Sequence, residues 1–461
     1  NDKTRQGVSG GPIDQDASGA EMYDTILSVA PQKAAPGQIW VGTDDGLVHL
    51  TRDNAATWKN VTPPGVPPWG RVYTIEPGHG AAGTAYAAVD RHMLGDDAPH
   101  LFATDDYGAS WRSISGDLPR SLFVRVIRED PTDRNLLYAG TQRGVFVSFD
   151  RGVRWHALRL NMPATAIYDL AIQPDARDLV VASHGRGVWI LDDLRPLREW
   201  ARTQATAATL YVPRDAYRTF RAPPVNAFLD GTLPSGEFVG ANRPYGSPIT
   251  YYLPRAAKKV QIAILDAKGA VVRHLPAKRI TKHAGMNRAA WDLSEDGPVR
   301  WTSTFEQNRG PETGAEALPG SYAVRLTVDG VTQTQPLVVK ADPRDTALAD
   351  EAIRRHDFLV AENAQLDRVD TMLNAIDKRL KHATPAQATT LRAFRARITL
   401  DARNIEDLRT PPHVRERLLD LIGRLSTSFQ APTAAQEEEA RTVKGQYDAL
   451  VAAYDAEFAA K

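Results

Sequence analysis

The sequence contains no cysteine among its 461 residues. Disulfide bonds, thiolate metal ligands and cysteine nucleophiles are therefore excluded. No run of about 18 apolar residues is present, so no membrane-spanning helix is predicted. There is also no excess of charge, because 56 Lys and Arg residues balance 56 Asp and Glu residues. Nucleic-acid binding driven by bulk positive charge is therefore not expected.

The N-terminus lacks both a methionine and an apolar leader, since the chain begins at Asn1. This start fits either a signal peptide that has been removed or an internal cut, and the repeats described below favour the internal cut. Hydrophobic residues make up 42% of the chain, enough to bury ordinary cores. The length predicts roughly three domains of ~150 residues each.

A four-strand pattern is repeated along residues 1–200. Each copy begins with an alternating strand that ends in proline, at Pro31, Pro77, Pro131 and Pro174. A second and a third strand follow, and in the first three copies a turn leads to a fourth strand. Alternation of period two between Gly-rich turns predicts half-buried strands. Four strands per repeat, stacked radially, predict about four β-propeller blades.

The turn before each fourth strand carries a recurring motif. A Ser or Thr and an Asp two residues later can bond nearby backbone N–H groups and lock the turn. A glycine supplies backbone freedom, and a tryptophan starts the next strand with a large ring to bury. We predict a structural role for these residues, because the copies lie in separate blades at the outer rim. They are Asp53 and Trp58 in the first copy, Asp106, Gly108 and Trp111 in the second, and Ser148, Asp150, Gly152 and Trp155 in the third.

The motif resembles the Asp-box, or BNR repeat, of sialidases, xyloglucanases and sortilin-type propellers. Wider phrases at 41–47 and 183–194 resemble large bacterial exported proteins labelled BNR-repeat glycosyl hydrolase or sortilin-like. This resemblance implies further blades ahead of the region, a secreted or periplasmic location, and an N-terminal propeller fragment or companion chain as partner. Closure of four blades within this chain is the alternative.

The loops between second and third strands are the predicted ligand-binding site, because they open towards the propeller axis. Guanidinium groups bind carboxylates in bidentate geometry, so an arginine-rich rim suits an anionic or hydroxyl-rich ligand. The alternative is that these charges pair with one another and fix neighbouring blades. The predicted ligand-binding residues are Arg71, Arg91, Arg125, Arg143, Tyr168, His184 and Arg186. By position, Asp44 and Asp45 are the nearest candidates for catalytic carboxylates, and no cofactor or metal is predicted.

Three further segments follow the repeats. A Pro- and Gly-rich stretch at 201–248 predicts an extended linker or arm. Short strands at 249–341 predict an Ig-like β-sandwich. Its phrases at 285–293 and 319–326 resemble the Ig-like domain of flagellar hook-capping proteins. Apolar residues at 3/4 spacing, punctuated by prolines, predict a helical bundle at 345–461.

These features predict a secreted or periplasmic propeller protein that binds a protein, peptide or glycan through its axial face. The alternative is a glycoside hydrolase, sialidase- or xyloglucanase-like, whose active site in the propeller funnel lies partly on blades absent from this chain. A third hypothesis is a subunit of a larger envelope assembly. Neither nucleic acid nor a membrane span is expected.

Overall fold

The computed structural model describes residues 25–219, 245–305, 309–344, 349–400, 411–426 and 430–459. It forms two compact units, Asn1–Gln204 and Ala205–Lys461. The chain is mainly β: it contains propeller-like blades and a β-sandwich, followed by C-terminal helices. This architecture confirms the fold class predicted from the sequence. Residues 220–244 of the predicted arm at 201–248 lie outside the described residues.

Four antiparallel sheets follow one another in the first unit. In each sheet the strands pair in sequence order, as in a propeller blade, and the fourth blade has three strands instead of four. Blade 1 contains β1 (Ile26–Pro31), β2 (Ile39–Thr43), β3 (Val48–Thr51) and β4 (Lys59–Asn60). Blade 2 contains β5 (Arg71–Pro77), β6 (Ala85–Arg91), β7 (Asp96–Thr104) and β8 (Arg112–Ser113). Blade 3 contains β9 (Val124–Asp130), β10 (Asp133–Thr141), β11 (Gly144–Ser148) and β12 (His156–Leu158). Blade 4 contains β13 (Ile167–Gln173), β14 (Asp178–Ser183) and β15 (Val188–Leu191), and helix α1 (Arg195–Thr203) follows it.

An apolar core fills each space between consecutive blades. Trp40 of blade 1 packs with Val72 of blade 2. Tyr86 of blade 2 packs with Val124 of blade 3, and the next core again joins a second-strand aromatic residue to the following blade. Because side chains of a strand alternate between its two faces, each blade presents one apolar face to the blade before it and one to the blade after it.

The turns before the fourth strands are held by the motif's own side chains. In blade 2 the Thr104 hydroxyl donates to Asp106 (2.8 Å) and accepts from the Gly108 N–H (3.0 Å). Asp106 also accepts from the backbone N–H (2.9 Å) and hydroxyl (2.5 Å) of Ser110. The hydrogen bond from the Ser110 side chain is the main cause that lowers the pKa of Asp106 to about 2. Three hydrogen bonds of this carboxylate thus hold the turn.

The second unit contains a two-sheet β-sandwich. Its strands are β16 (Thr209–Leu210), β17 (Ala216–Arg218), β18 (Ser247–Leu253), β19 (Val260–Leu265), β20 (Val271–His274), β21 (Gly285–Trp291), β22 (Ser294–Asp296), β23 (Thr313–Glu316), β24 (Gly320–Val328) and β25 (Val331–Ala341). One sheet has the strand order β16, β18, β21 and the other has the order β17, β25, β24, β19, β20, while β22 pairs with β23. Ile249 and Trp291 from the first sheet share one core with Ile264 and Val324 from the second.

In the described residues after the sandwich, four α-helices surround a separate apolar core. They are α2 (Ala349–Leu380), α3 (Pro385–Ile398), α4 (Val414–Ser426) and α5 (Ala434–Tyr454). Thr384 and Thr433 begin α3 and α5 as N-caps, each completed by a glutamine three residues later. Inside the core, Arg415 forms a fully buried ion pair with Asp370 (2.6 Å). None of the described helices is both long and apolar enough to cross a membrane.

Candidate ligand-binding face

The first strands of all four blades surround one cavity of about 840 Å³. It is lined by parts of β1, β5, β9 and β13, so it follows the axis around which the blades are arranged. One end of each first strand meets the loops that join second to third strands, because the strands are antiparallel. We call these loops, at 44–47, 92–95, 142–143 and 184–187, the 2–3 loops, and the surface that they form the 2–3 loop face.

A charged network lines this cavity. Arg128 donates to Asp169 (2.7 Å) of blade 4 and lies 3.5 Å from Glu76 of blade 2. Glu76 in turn contacts the His79 ring (3.3 Å), and its hydrogen bond raises the pKa of that imidazole. Glu129 accepts from the His79 backbone N–H (2.8 Å). These charged groups connect blades 2, 3 and 4 and serve as hydrogen-bond and ion-pair partners for one another.

A ladder of stacked rings and one guanidinium lies nearer the 2–3 loops. The guanidinium of Arg125 lies 4.1 Å from the ring centroid of Tyr168 and 5.2 Å from that of Phe123. The His184 ring stacks on Tyr168 with centroids 4.7 Å apart, and the His92 ring stacks on Phe123 at 4.3 Å. Cation–π and stacking contacts of this kind fix the rings in place. The ladder therefore connects the 2–3 loops of blades 2 and 4 through a row of stacked groups.

The buried carboxylate Asp90 anchors this ladder. It accepts from Arg125 (3.2 Å) and contacts the His92 ring (2.7 Å). Arg125 is itself buried and ties blade 2 to blade 3, as expected if these charges fix neighbouring blades. It also supports the exposed ring of His184 through Tyr168. Its direct access to a ligand is limited by that burial.

A slot of about 120 Å³ opens beside the ladder on blade 2. Arg71 and Arg91 line it together with the exposed side chains of Trp69, Met93 and Leu94. Arg71 donates to the Met93 sulfur (3.0 Å), and Arg91 donates to the Pro68 carbonyl (2.9 Å). Arg91 also lies 3.7 Å from Asp96. This part of the face combines positive charge with apolar surface.

The 2–3 loops of blades 3 and 4 carry the most accessible cations. Arg143, His184 and Arg186 are all exposed, and the two loops contain no acidic residue. Among the described residues, no carboxylate lies within ion-pair distance of the Arg143 or Arg186 guanidinium. An exposed, unpaired guanidinium is available for bidentate binding of a carboxylate.

Asp44 and Asp45 lie in the 2–3 loop of blade 1, and both accept local hydrogen bonds. Asp44 is buried and accepts from the Thr25 backbone N–H (2.9 Å). Asp45 accepts from the Thr43 hydroxyl. Contacts of this kind hold a loop in shape. No group of three or more potential metal ligands converges within the described part of the chain.

The cavity network of Glu76, Arg128 and Asp169 was not anticipated from the sequence. The only local signal is that charged residues interrupt the apolar alternation of the first strands, ahead of the recurring prolines of the repeat. Which of them meet depends on the stagger between blades, and a single strand pattern does not reveal that stagger.

No family model matches this chain, and no curated protein matches it either. Similar solved structures include the GH74 xyloglucanase from Xanthomonas campestris, at 20% identity and a TM-score of 0.30 over 37% of this chain and 28% of that one. The GH74 enzyme from Niastella koreensis is 14% identical with a TM-score of 0.29, over 50% of this chain and 29% of that one. YCF48 bound to D1 peptide is 15% identical with a TM-score of 0.28, over 68% of this chain and 82% of that one. The chain thus spans less than a third of each GH74 structure, and at these scores none of the similarities carries an argument about activity.

Proposed function

We propose that the protein is a secreted or periplasmic propeller protein that binds an acidic protein, peptide or glycan on its 2–3 loop face. The observation that carries this proposal is the imbalance of free charge on blades 3 and 4. Arg143 and Arg186 are exposed and unpaired among the described residues, whereas Asp44, Asp45 and Asp90 are held in local or interblade contacts. Asp97 is exposed beside the loop of blade 2, so the cationic surface centres on blades 3 and 4.

The ladder beneath these loops supports a binding role. Tyr168 is stacked between Arg125 and the exposed ring of His184, which keeps the loop of blade 4 in one arrangement. A preformed surface loses less conformational entropy when it binds a ligand. Aromatic and guanidinium groups together suit both acidic peptides and acidic sugars.

The glycoside hydrolase alternative needs two carboxyl groups facing each other across a cleft. The hydrogen bonds of Asp44 and Asp45 favour a structural role for both, and no contact of the described residues favours the hydrolase over the binding protein. The envelope-subunit hypothesis is compatible with a binding face, since an assembly partner would be one kind of protein ligand.

A paired array tests this function. The purified protein is applied to synthetic peptides and oligosaccharides in which every acidic member has a neutral counterpart, Glu replaced by Gln or sialic acid removed. We expect retention of acidic members, lost in the Arg143→Gln/Arg186→Gln double variant and kept in Arg154→Gln. Arg154 is also exposed but lies at the opposite end of β11, so it is a matched control.

Two results would count against the binding proposal. One is equal retention of acidic and neutral members. The other is turnover of xyloglucan or of an aryl glycoside by the wild type that Asp44→Asn or Asp45→Asn abolishes, because that outcome assigns the loops to hydrolysis.

A further inference from the structure

Each of the two ends of the blade array exposes two apolar side chains of one strand. On β1, Ile26 is 56% exposed and Val29 is 61% exposed. On β15, Val188 is 66% exposed and Ile190 is 59% exposed. Exposed aliphatic clusters of this kind mark surfaces that are covered in the working protein.

Strand register identifies what these positions do in the other blades. Ile26 lies directly before a register shift in the pairing of the first with the second strand, and the residues at the same place in the other blades are Val72, Val124 and Ile167. The equivalents of Val29 are Ile75, Ile127 and Leu170. All six are at most 3% exposed, and each belongs to the core that its blade shares with the preceding blade. Ile26 and Val29 therefore form the face that a blade presents to a preceding blade.

The same comparison explains the other end of the array. The equivalents of Val188 are Val48, Leu101 and Val145, and those of Ile190 are Leu50, Ala103 and Val147. All six are at most 4% exposed, and each packs in the core shared with the following blade. Val188 and Ile190 therefore form the face that a blade presents to a following blade.

A third observation concerns the tryptophan of the turn motif. The Trp111 indole donates to the Val61 carbonyl of the preceding blade (2.8 Å), and the Trp155 indole donates to the Ile114 carbonyl (2.9 Å). Both acceptors follow directly on a fourth strand. Trp58 has the same place in blade 1 but is 44% exposed, and no described residue accepts from its indole.

We propose that one propeller fragment, built of further four-stranded blades of this repeat, covers both end faces and closes the ring. Continuity with three existing interblade cores argues for a blade as the occupant, and closure removes the free sheet edges. The blade next to β1 then carries an aromatic residue on its second strand, as Trp40 and Tyr86 do, and a backbone carbonyl that accepts from Trp58. The blade next to β15 carries aliphatic residues at two positions of its first strand that are three residues apart, as Val72 and Ile75 are.

Ala55 adds a constraint on that fragment. It has a positive φ of 71° at the place of Gly108 and Gly152. A Cβ at either glycine would come within 2.7 Å of a Val61 or Ile114 side-chain atom of the preceding blade. Because the atom approached is the Cβ of Val61 or Ile114, the blade that covers β1 must have a glycine at that position or keep its backbone further from the turn.

This proposal can be tested by photo-crosslinking, with the protein produced in the organism to which it belongs. p-Benzoylphenylalanine replaces Ile26 in one variant, Ile190 in a second and Val331 in a control, since Val331 is 67% exposed in the sandwich hairpin. We expect position 26 to crosslink to the second or third strand of a blade outside residues 25–219, and position 190 to the first strand of such a blade. Both target blades carry the S/T-x-D turn motif, and position 331 gives neither crosslink.

Other crosslinks overturn the proposal: to the second unit, to a chain without the repeat, between two copies of this chain, or none above the control. Mixing isotope-labelled and unlabelled protein separates the two-copy case. Native mass spectrometry of the unsubstituted protein is independent of any folding defect in the variants. We expect its complexes to contain, besides residues 1–461, a polypeptide segment that carries further copies of the repeat. A complex without such a segment contradicts ring closure by a further fragment.

Discussion

Glu362 is a carboxyl group buried among the helices of the second unit. Gln365 donates to it (3.2 Å), and Lys444 of α5 attracts its charge, but burial dominates and raises its pKa to about 7. The folded protein therefore retains a proton that the unfolded chain releases near pH 4.5, the ordinary value for this group. Because the folded state binds more protons in this window, the free energy of unfolding falls as the pH rises through it.

Replacing this residue by glutamine, which stays neutral, removes that dependence. We expect the stability of Glu362→Gln relative to wild type to rise by about 3 kcal/mol between pH ~4 and pH ~8. Urea unfolding of both proteins at the two pH values measures the difference. Glu438→Gln on the exposed face of α5 is the control and should show no such change. A constant difference between Glu362→Gln and wild type across this range would mean that Glu362 titrates normally.

At the scale of the blade, the turn motif stabilises contacts between blades as well as its own hairpin. Trp155 is buried and donates to the Ile114 carbonyl of blade 2, whereas Trp58 has no such acceptor among the described residues. Trp155→Phe leaves that carbonyl unsatisfied and should lower the free energy of unfolding by about 1 to 3 kcal/mol. Trp58→Phe in the same isolated chain should change it by less than about 0.5 kcal/mol. Denaturant unfolding, followed through the transition of the first unit, measures the free energy of unfolding of both variants. An equal decrease in Trp155→Phe and Trp58→Phe would refute the interblade role of the Trp155 indole.

The blades were predictable because their signals are local. Alternating strands, the prolines that end first strands and the spacing from Asp106 to Trp111 all lie within short windows of sequence. The contacts of Arg125 were not predictable in this way, since Asp90, Phe123 and Tyr168 come from three blades. The sequence therefore predicts on which strand or loop each site residue lies. It does not predict which of these residues contact one another, because those contacts depend on how the sheets pack.

For the whole molecule, the absence of net charge makes local charge the decisive quantity. The chain as a whole attracts neither anions nor cations, so affinity for an acidic ligand must come from a few exposed groups such as Arg143 and Arg186. Exposed ion pairs are screened by salt over about 8 Å at physiological ionic strength. Binding on the 2–3 loop face should therefore weaken as salt is added, and an unchanged affinity at high salt would place the ligand elsewhere.

The most direct measurement is the equilibrium affinity for the best-retained acidic member of the array, compared among three proteins. We expect Arg143→Gln/Arg186→Gln to bind at least about tenfold more weakly than wild type, which corresponds to about 1.4 kcal/mol. Arg154→Gln, altered at the opposite end of the blade, should bind like wild type. Equal affinities for all three proteins, or an equal loss in Arg154→Gln, would contradict a binding site on the 2–3 loop face.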